Sequence, residues 1–165
     1  MPDNTIKIYT DGSSLGNPGP GGYGIVMQYG AKQKTSSAGF IRTTNNRMEL
    51  MAVIESLRLL NETAKNKEII IYSDSKYVIN AIEKKWVFGW VKKNFKEKAN
   101  ADLWRQFLKE YAKYTIQFVW IKGHSGQVEN EICDTLAKKA AEGKELAIDH
   151  GYESLMDTKS KNQLF

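Results

Sequence analysis

An alternating apolar run, Ile6-Lys7-Ile8-Tyr9-Thr10, delivers one carboxylate, Asp11, into Gly12-Ser13-Ser14. A loop rich in glycine, proline and asparagine then leads to a second apolar run, Tyr23 to Tyr29. Alternation with a period of two marks a strand with one buried face. As a hairpin turn, Asp11-Gly12 should lead straight into the partner strand, yet about ten residues without strand character intervene. The loop is no Walker cradle either, because it lacks a Gly-Lys-Ser/Thr ending. The expectation is a functional carboxylate at the end of a strand.

The rest of the chain reads as strands alternating with helices. Thr5 to Thr10, Gly21 to Tyr29 and Thr35 to Ile41 are strand-like, the latter two joined across Gly30-Ala31-Lys32. Thr44, Asn45 and Asn46 are candidate caps for a helix whose inward stripe carries Ala52, Val53, Leu57 and Leu60. Glu49 falls on that stripe one turn earlier; a first-turn glutamate favoured by the helix dipole is the plain explanation. Glu68 to Tyr72 reads as a fully buried strand running into Ser73-Asp74-Ser75, and a helix from Lys76 to about Glu83 follows. N-capping would explain Asp74. Further on come a helix from Asn100 and a strand from Ile116 to Ile121. Last are a glycine-flanked loop bearing His124 and a helix over Asn130 to Glu142. That helix turns Cys133, Leu136, Ala137 and Ala140 inward, with Asp134 beside them. From Glu153 the chain is polar and is expected to be loose, which gives a folded unit over residues 1–152 and a tail over residues 153–165.

Charge narrows the partners. The segment from Lys84 to Lys98 holds six lysines against one glutamate, so the net charge of +5 falls wholly within it. Trp86, Phe88, Trp90 and Phe95 are interleaved with the lysines. Trp86 and Trp90, four apart, share a helical face and would suit a core, but the surrounding lysines argue for exposure. Lysines beside aromatics suit a phosphate backbone and its bases. One cysteine, Cys133, excludes an internal disulfide, and two histidines add little toward a zinc site. No apolar run approaches the roughly 20 residues of a membrane helix, and Met1 to Thr10 has no secretory pattern. A cytoplasmic, intracellular protein with no membrane partner is expected.

Asp11, Glu49, Asp74 and Asp134 each have an ordinary explanation, but their joint placement is harder to dismiss. Ligands of α/β sheets bind beyond the carboxyl ends of the strands. Parallel neighbours would bring Asp11 and Asp74 out side by side. Converging carboxylates repel unless cations neutralise them. Oxygen ligands alone favour Mg²⁺, with Mn²⁺ as a substitute, and two such ions can support phosphodiester cleavage.

The motifs YTDGSSLGNPGPGGYG, TTNNRMEL, YSDSKYV and IKGHSGQVENEICDTLAKKAA, with the lysine/tryptophan segment between them, resemble ribonuclease H of type 1. The likeness runs from Ile6 to about Tyr152. It implies an α/β fold with a five-stranded mixed sheet, antiparallel over strands 1-2-3 and parallel over 1-4-5, flanked by helices. It implies an endonuclease that cuts the RNA strand of RNA–DNA hybrids with two Mg²⁺ ions, leaving 5′-phosphate and 3′-hydroxyl ends. The metal quartet would be Asp11, Glu49, Asp74 and Asp134, with His124 as the flexible-loop histidine. Minor-groove contacts would fall on Asn17, Asn45 and Asn46, and on Lys76 where the family has glutamine. Arg42, Thr44 and Asn100 would hold a DNA phosphate. Trp86 and Trp90 would face the DNA strand, while the charge of their segment points Lys84, Lys85, Lys92 and Lys93 to phosphates of the substrate backbone. A monomer needing no small-molecule cofactor is expected. Another two-metal nuclease or strand-transfer domain on the same sheet, or a non-catalytic hybrid-binding module, are the alternatives.

Overall fold

The computed structural model describes residues 4–162. Six strands form one sheet in the order β5-β4-β1-β2-β3-β6. Strands β1 (Thr5–Ser14), β2 (Gly19–Tyr29) and β3 (Lys32–Thr43) are successive antiparallel neighbours. Strands β4 (Glu68–Ser73) and β5 (Ile116–Trp120) extend the sheet in parallel from β1. The expected five-strand arrangement is present. A sixth strand, β6 (Leu146–Ala147), adds one short parallel pairing to Gly39 and Phe40.

The helices are α1 (Asn45–Arg58), α2 (Lys76–Glu83), α3 (Trp86–Lys92), α4 (Ala101–Tyr111), α5 (Val128–Glu142) and α6 (His150–Asn162). A strand turns alternate residues to opposite faces. Ile6 and Ile8 of β1 join the main core with Leu50, Val53 and Leu57 of α1 and Trp104 and Phe107 of α4. Tyr9 lies in a second cluster with Val26 and Cys133 of α5. Helix α5 lies tight on the sheet because glycine stands where it crosses. A Cβ at Gly24 would collide with the Cys133 carbonyl oxygen, and one at Gly39 with that of Ala140.

The first strand differs from its expected length in a way that bears on function. It runs through Asp11 and Gly12 to Ser14, with Asp11 opposite Gly24, so only Leu15 to Pro18 separate it from β2. Gly12, Ser13 and Ser14 have little strand preference of their own; the ladder with β2 imposes the conformation. Toward β4, however, pairing stops at Thr10 opposite Ser73. Asp11 is therefore mid-strand on one side and just past the strand end on the other.

Three more differences concern boundaries. Strand β4 alternates in burial along its length, so it is not covered throughout. Helix α5 starts at Val128, where Gln127 accepts a hydrogen bond from the Asn130 amide. The chain expected to be loose from Glu153 is helical in α6 as far as Asn162. Helix α6 is anchored at its start by Asp149, which accepts from the Tyr152 amide at 3.2 Å. Met1 to Asp3 and Gln163 to Phe165 lie outside the described residues.

Candidate active site

Asp11 on β1, Glu49 on α1 and Asp74 just after β4 each offer one carboxylate oxygen, and the three oxygens all lie within 4.8 Å of one another. Neither ordinary explanation accounts for these acids. Thr44 caps α1 by accepting from the Arg47 amide, which leaves Glu49 beyond the first turn. Ser75, not Asp74, caps α2, accepting from the Val78 amide at 3.2 Å.

The charges sit at high cost. Asp11 is pushed up to about 8, first by burial and then by the charges of Asp74 and Asp134, although the Gly12 amide donates to it at 2.9 Å. Burial, then the charges of Asp11 and Asp74, carries Glu49 well above the usual carboxylate range. Glu49 Oε2 is buried with no hydrogen-bond partner. Burial likewise raises Asp74. Three converging carboxylate oxygens, an unpartnered oxygen on one of the three acids, and no sulfur or nitrogen ligand among them form a donor set that fits a hard divalent cation.

Asp134 of α5 borders the same cleft, of about 450 Å³, but stands outside the group of three. Its carboxylate is paired with Lys138 Nζ at 3.0 Å. His124 also lines the cleft. It is exposed, with a φ of 56° in the loop after β5. That loop lies against Asp74: a Cβ at Gly123 would come within 2.7 Å of Asp74 Oδ2.

The expected substrate contacts fall into three places. Asn45, Asn46 and Lys76 line the carboxylate cleft. Asn17 joins them indirectly, its Oδ1 accepting from the Asn45 amide at 3.1 Å. Thr44 and Asn100 gather around Arg47, whose Nη1 donates to Asn100 Oδ1 at 3.3 Å. Arg42 is turned toward α6, paired with Glu153 at 3.4 Å and lying over the Tyr152 ring. The third place is the lysine/tryptophan segment. Lys84, Lys85, Lys92 and Lys93 are exposed there, and Trp86 is 47% exposed. Trp90 is half-buried, edge-on to Trp104 at 5.7 Å, so for that residue packing and exposure both apply.

Two features escape sequence reasoning. Arg47, 1% exposed, donates to both Asp149 and Asp102 and so ties α1, α4 and the start of α6 together. Scattered charges at 47, 102 and 149 look like solvated helix residues, and nothing in their spacing announces the clamp. The Asp134–Lys138 pair did have a signal, since residues four apart meet on a helix face.

The RNase H family model matches residues 3–142. A ribonuclease H of Aeromonas salmonicida is 52% identical over 153 residues, covering 90% of this chain and 97% of its own length. One from Helicobacter pylori is 53% identical over 137 residues, covering 83% and 93%. Among solved structures, LC9-RNase H1, described as a type 1 RNase H with the type 2 active-site motif, superposes with a TM-score of 0.76. It is 29% identical, covering 94% of this chain and 82% of its own. LC11-RNase H1 in complex with an RNA/DNA hybrid superposes with a TM-score of 0.68 at 26% identity, covering 83% and 96%.

Proposed function

This chain belongs to the ribonuclease H family of enzymes, and from that premise we propose that it is an endonuclease hydrolysing the RNA strand of RNA–DNA hybrids. Cleavage is proposed to need two Mg²⁺ ions, with Mn²⁺ as a substitute, and to leave 5′-phosphate and 3′-hydroxyl ends. The carrying observation is the convergence of Asp11, Glu49 and Asp74 oxygens within 4.8 Å. The hybrid complex of LC11-RNase H1 supports the choice of substrate.

Bound divalent cations would supply the Lewis acidity that makes water a nucleophile at neutral pH and stabilises the leaving oxygen. Asp11, Glu49 and Asp74 would hold them, and Asp134 would complete the set on parting from Lys138. His124, exposed on the glycine-flanked loop at the cleft, carries a proton at the attacking water or the leaving 3′-oxygen. Asn17, Asn45 and Asn46 meet the minor groove, where an amide can donate to and accept from a 2′-hydroxyl or base edge. Arg42, Thr44 and Asn100 receive a phosphate of the DNA strand, Arg42 leaving Glu153 to do so. Lys84, Lys85, Lys92 and Lys93 hold phosphates electrostatically, with Trp86 and Trp90 facing the DNA strand.

No helix among the described residues is long and apolar enough to cross a membrane; a cytoplasmic monomer acting without a small-molecule cofactor completes the proposal. The test is incubation with Mg²⁺ and labelled RNA–DNA hybrid, duplex DNA and duplex RNA in parallel, followed by end-group analysis. Selective nicking of the hybrid's RNA strand with 5′-phosphate ends is expected. Equal cleavage of duplex DNA, or no cleavage of hybrid, overturns it.

A further inference from the structure

Lys76 departs from the expected glutamine, and its surroundings give the departure a use. It is the first residue of α2, exposed, and lines the cleft that holds Asp11, Glu49, Asp74 and Asp134. Among the described residues it forms no ion pair within 4.0 Å, even with those four acids nearby. Its ammonium lies instead over the ring of Trp120, 5.2 Å from the centroid. Trp120 is itself 42% exposed, and its indole N–H donates to the Asp74 carbonyl oxygen at 3.2 Å. The ring is thus tethered to the backbone of a cleft carboxylate and offers a fixed platform at the cleft's edge.

An exposed cation–π contact is weak and readily exchanged for a stronger partner. The chemistry of that partner follows from the side chain. Glutamine both donates and accepts, so it can read a base edge or a sugar hydroxyl. Lysine has three donors, no acceptor and a full charge, which suits a phosphate. Resting on the reading of this chain as a hybrid-cutting enzyme, we propose that Lys76 is a movable phosphate contact: its ammonium rests on Trp120 in the free protein and passes to a backbone phosphate of the bound hybrid. At this position the chain then holds its substrate by charge, without regard to base sequence, while Asn45 and Asn46 keep the edge-reading amides within the same cleft.

The test is equilibrium binding of a fluorescent RNA–DNA hybrid across a salt series, made in the Asp11→Asn protein so that substrate is not consumed. One lost phosphate contact flattens the slope of log K against log salt by about 0.9 on a B-form duplex. Lys76→Gln is expected to flatten it by an amount of that order, and Lys76→Arg to keep it. Trp120's own emission, taken as the difference between the Asp11→Asn protein and the same protein carrying Trp120→Phe, should change on hybrid binding when Lys76 is present and not in Lys76→Gln. An unchanged slope in Lys76→Gln, with hybrid still bound by the protein that retains Lys76, overturns this assignment alone. A Trp120 change that persists in Lys76→Gln overturns the resting place on the ring. Failure of the Lys76-containing protein to bind hybrid would overturn the substrate reading and this inference with it.

Discussion

Gly12 lies directly against the Met48–Glu49 peptide of α1: a Cβ at Gly12 would collide with the Glu49 amide nitrogen and come within 2.6 Å of the Met48 carbonyl oxygen. This close approach of strand to helix is what lets Glu49 reach the neighbourhood of Asp11. Gly12→Ala must push β1 and α1 apart, and the colliding atoms are backbone, which cannot rotate away. A loss of about 3 kcal/mol, the upper end for overpacking, is expected in urea unfolding, together with weaker Mg²⁺ binding by calorimetry. A stability within experimental error of the parent would show that the helix yields freely.

Asp11→Asn should abolish cleavage while keeping the fold, because an amide is a poorer ligand for a hard cation and one of several crowded charges is gone. Activity within tenfold of the parent at matched Mg²⁺ would contradict this.

The same substitution should alter how the metal-free protein responds to pH. Burial and the neighbouring acids lift the Asp11 carboxyl from an ordinary 3.8 to about 8. Between those values the folded chain holds a proton that the unfolded chain has lost, so stability falls as pH rises from about 4 to about 8. In EDTA, Asp11→Asn should therefore gain more in Tm over the parent at pH 8 than at pH 5. Equal gains at both values would mean that Asp11 titrates near its ordinary value.

His124→Ala should lower kcat with little change in KM. A positioned proton carrier is typically worth 10²–10⁴-fold, and retention of cation binding should leave the mutant measurable. Profiles of kcat and KM against pH for both proteins test this. An unchanged kcat across the range would reduce His124 to an ordinary loop residue.

Breaking the buried arginine clamp should be costly. Arg47 and Asp149 are 1% and 2% exposed at their side chains and 2.8 Å apart. Arg47→Met strands Asp149 without its partner, and about 3–5 kcal/mol is expected by denaturant titration. Arg47→Met with Asp149→Asn should recover part of that loss. If the double variant is as unstable as the single one, packing and not the stranded charge sets the cost.

Much of the architecture is written in local patterns. The alternation of Ile6 to Thr10, the helical stripe of Ala52, Val53 and Leu57, and the lysine-rich segment each report their own surroundings, because burial of one face is a local constraint. The bounds of α2, Lys76 to Glu83, were readable for that reason. The acids Asp11, Glu49, Asp74 and Asp134 stand out in the sequence as charges at strand ends and on buried stripes.

What joins them is not local. The sequence determined the five main strands, the helices around them and which residues carry charge into them, but it announced neither β6 nor the helical course of α6. Only the tertiary structure decided that β1 continues through Asp11 to Ser14, because residues with little strand preference are held there by the ladder to β2. It alone brought Asp11, Glu49 and Asp74 within 4.8 Å while leaving Asp134 outside, paired with Lys138. It alone buried Arg47 between Asp102 and Asp149, residues far apart in the chain. Contacts of this kind depend on sheet register and on how closely helices approach backbone, quantities fixed by the packing of many residues at once and encoded in no single segment.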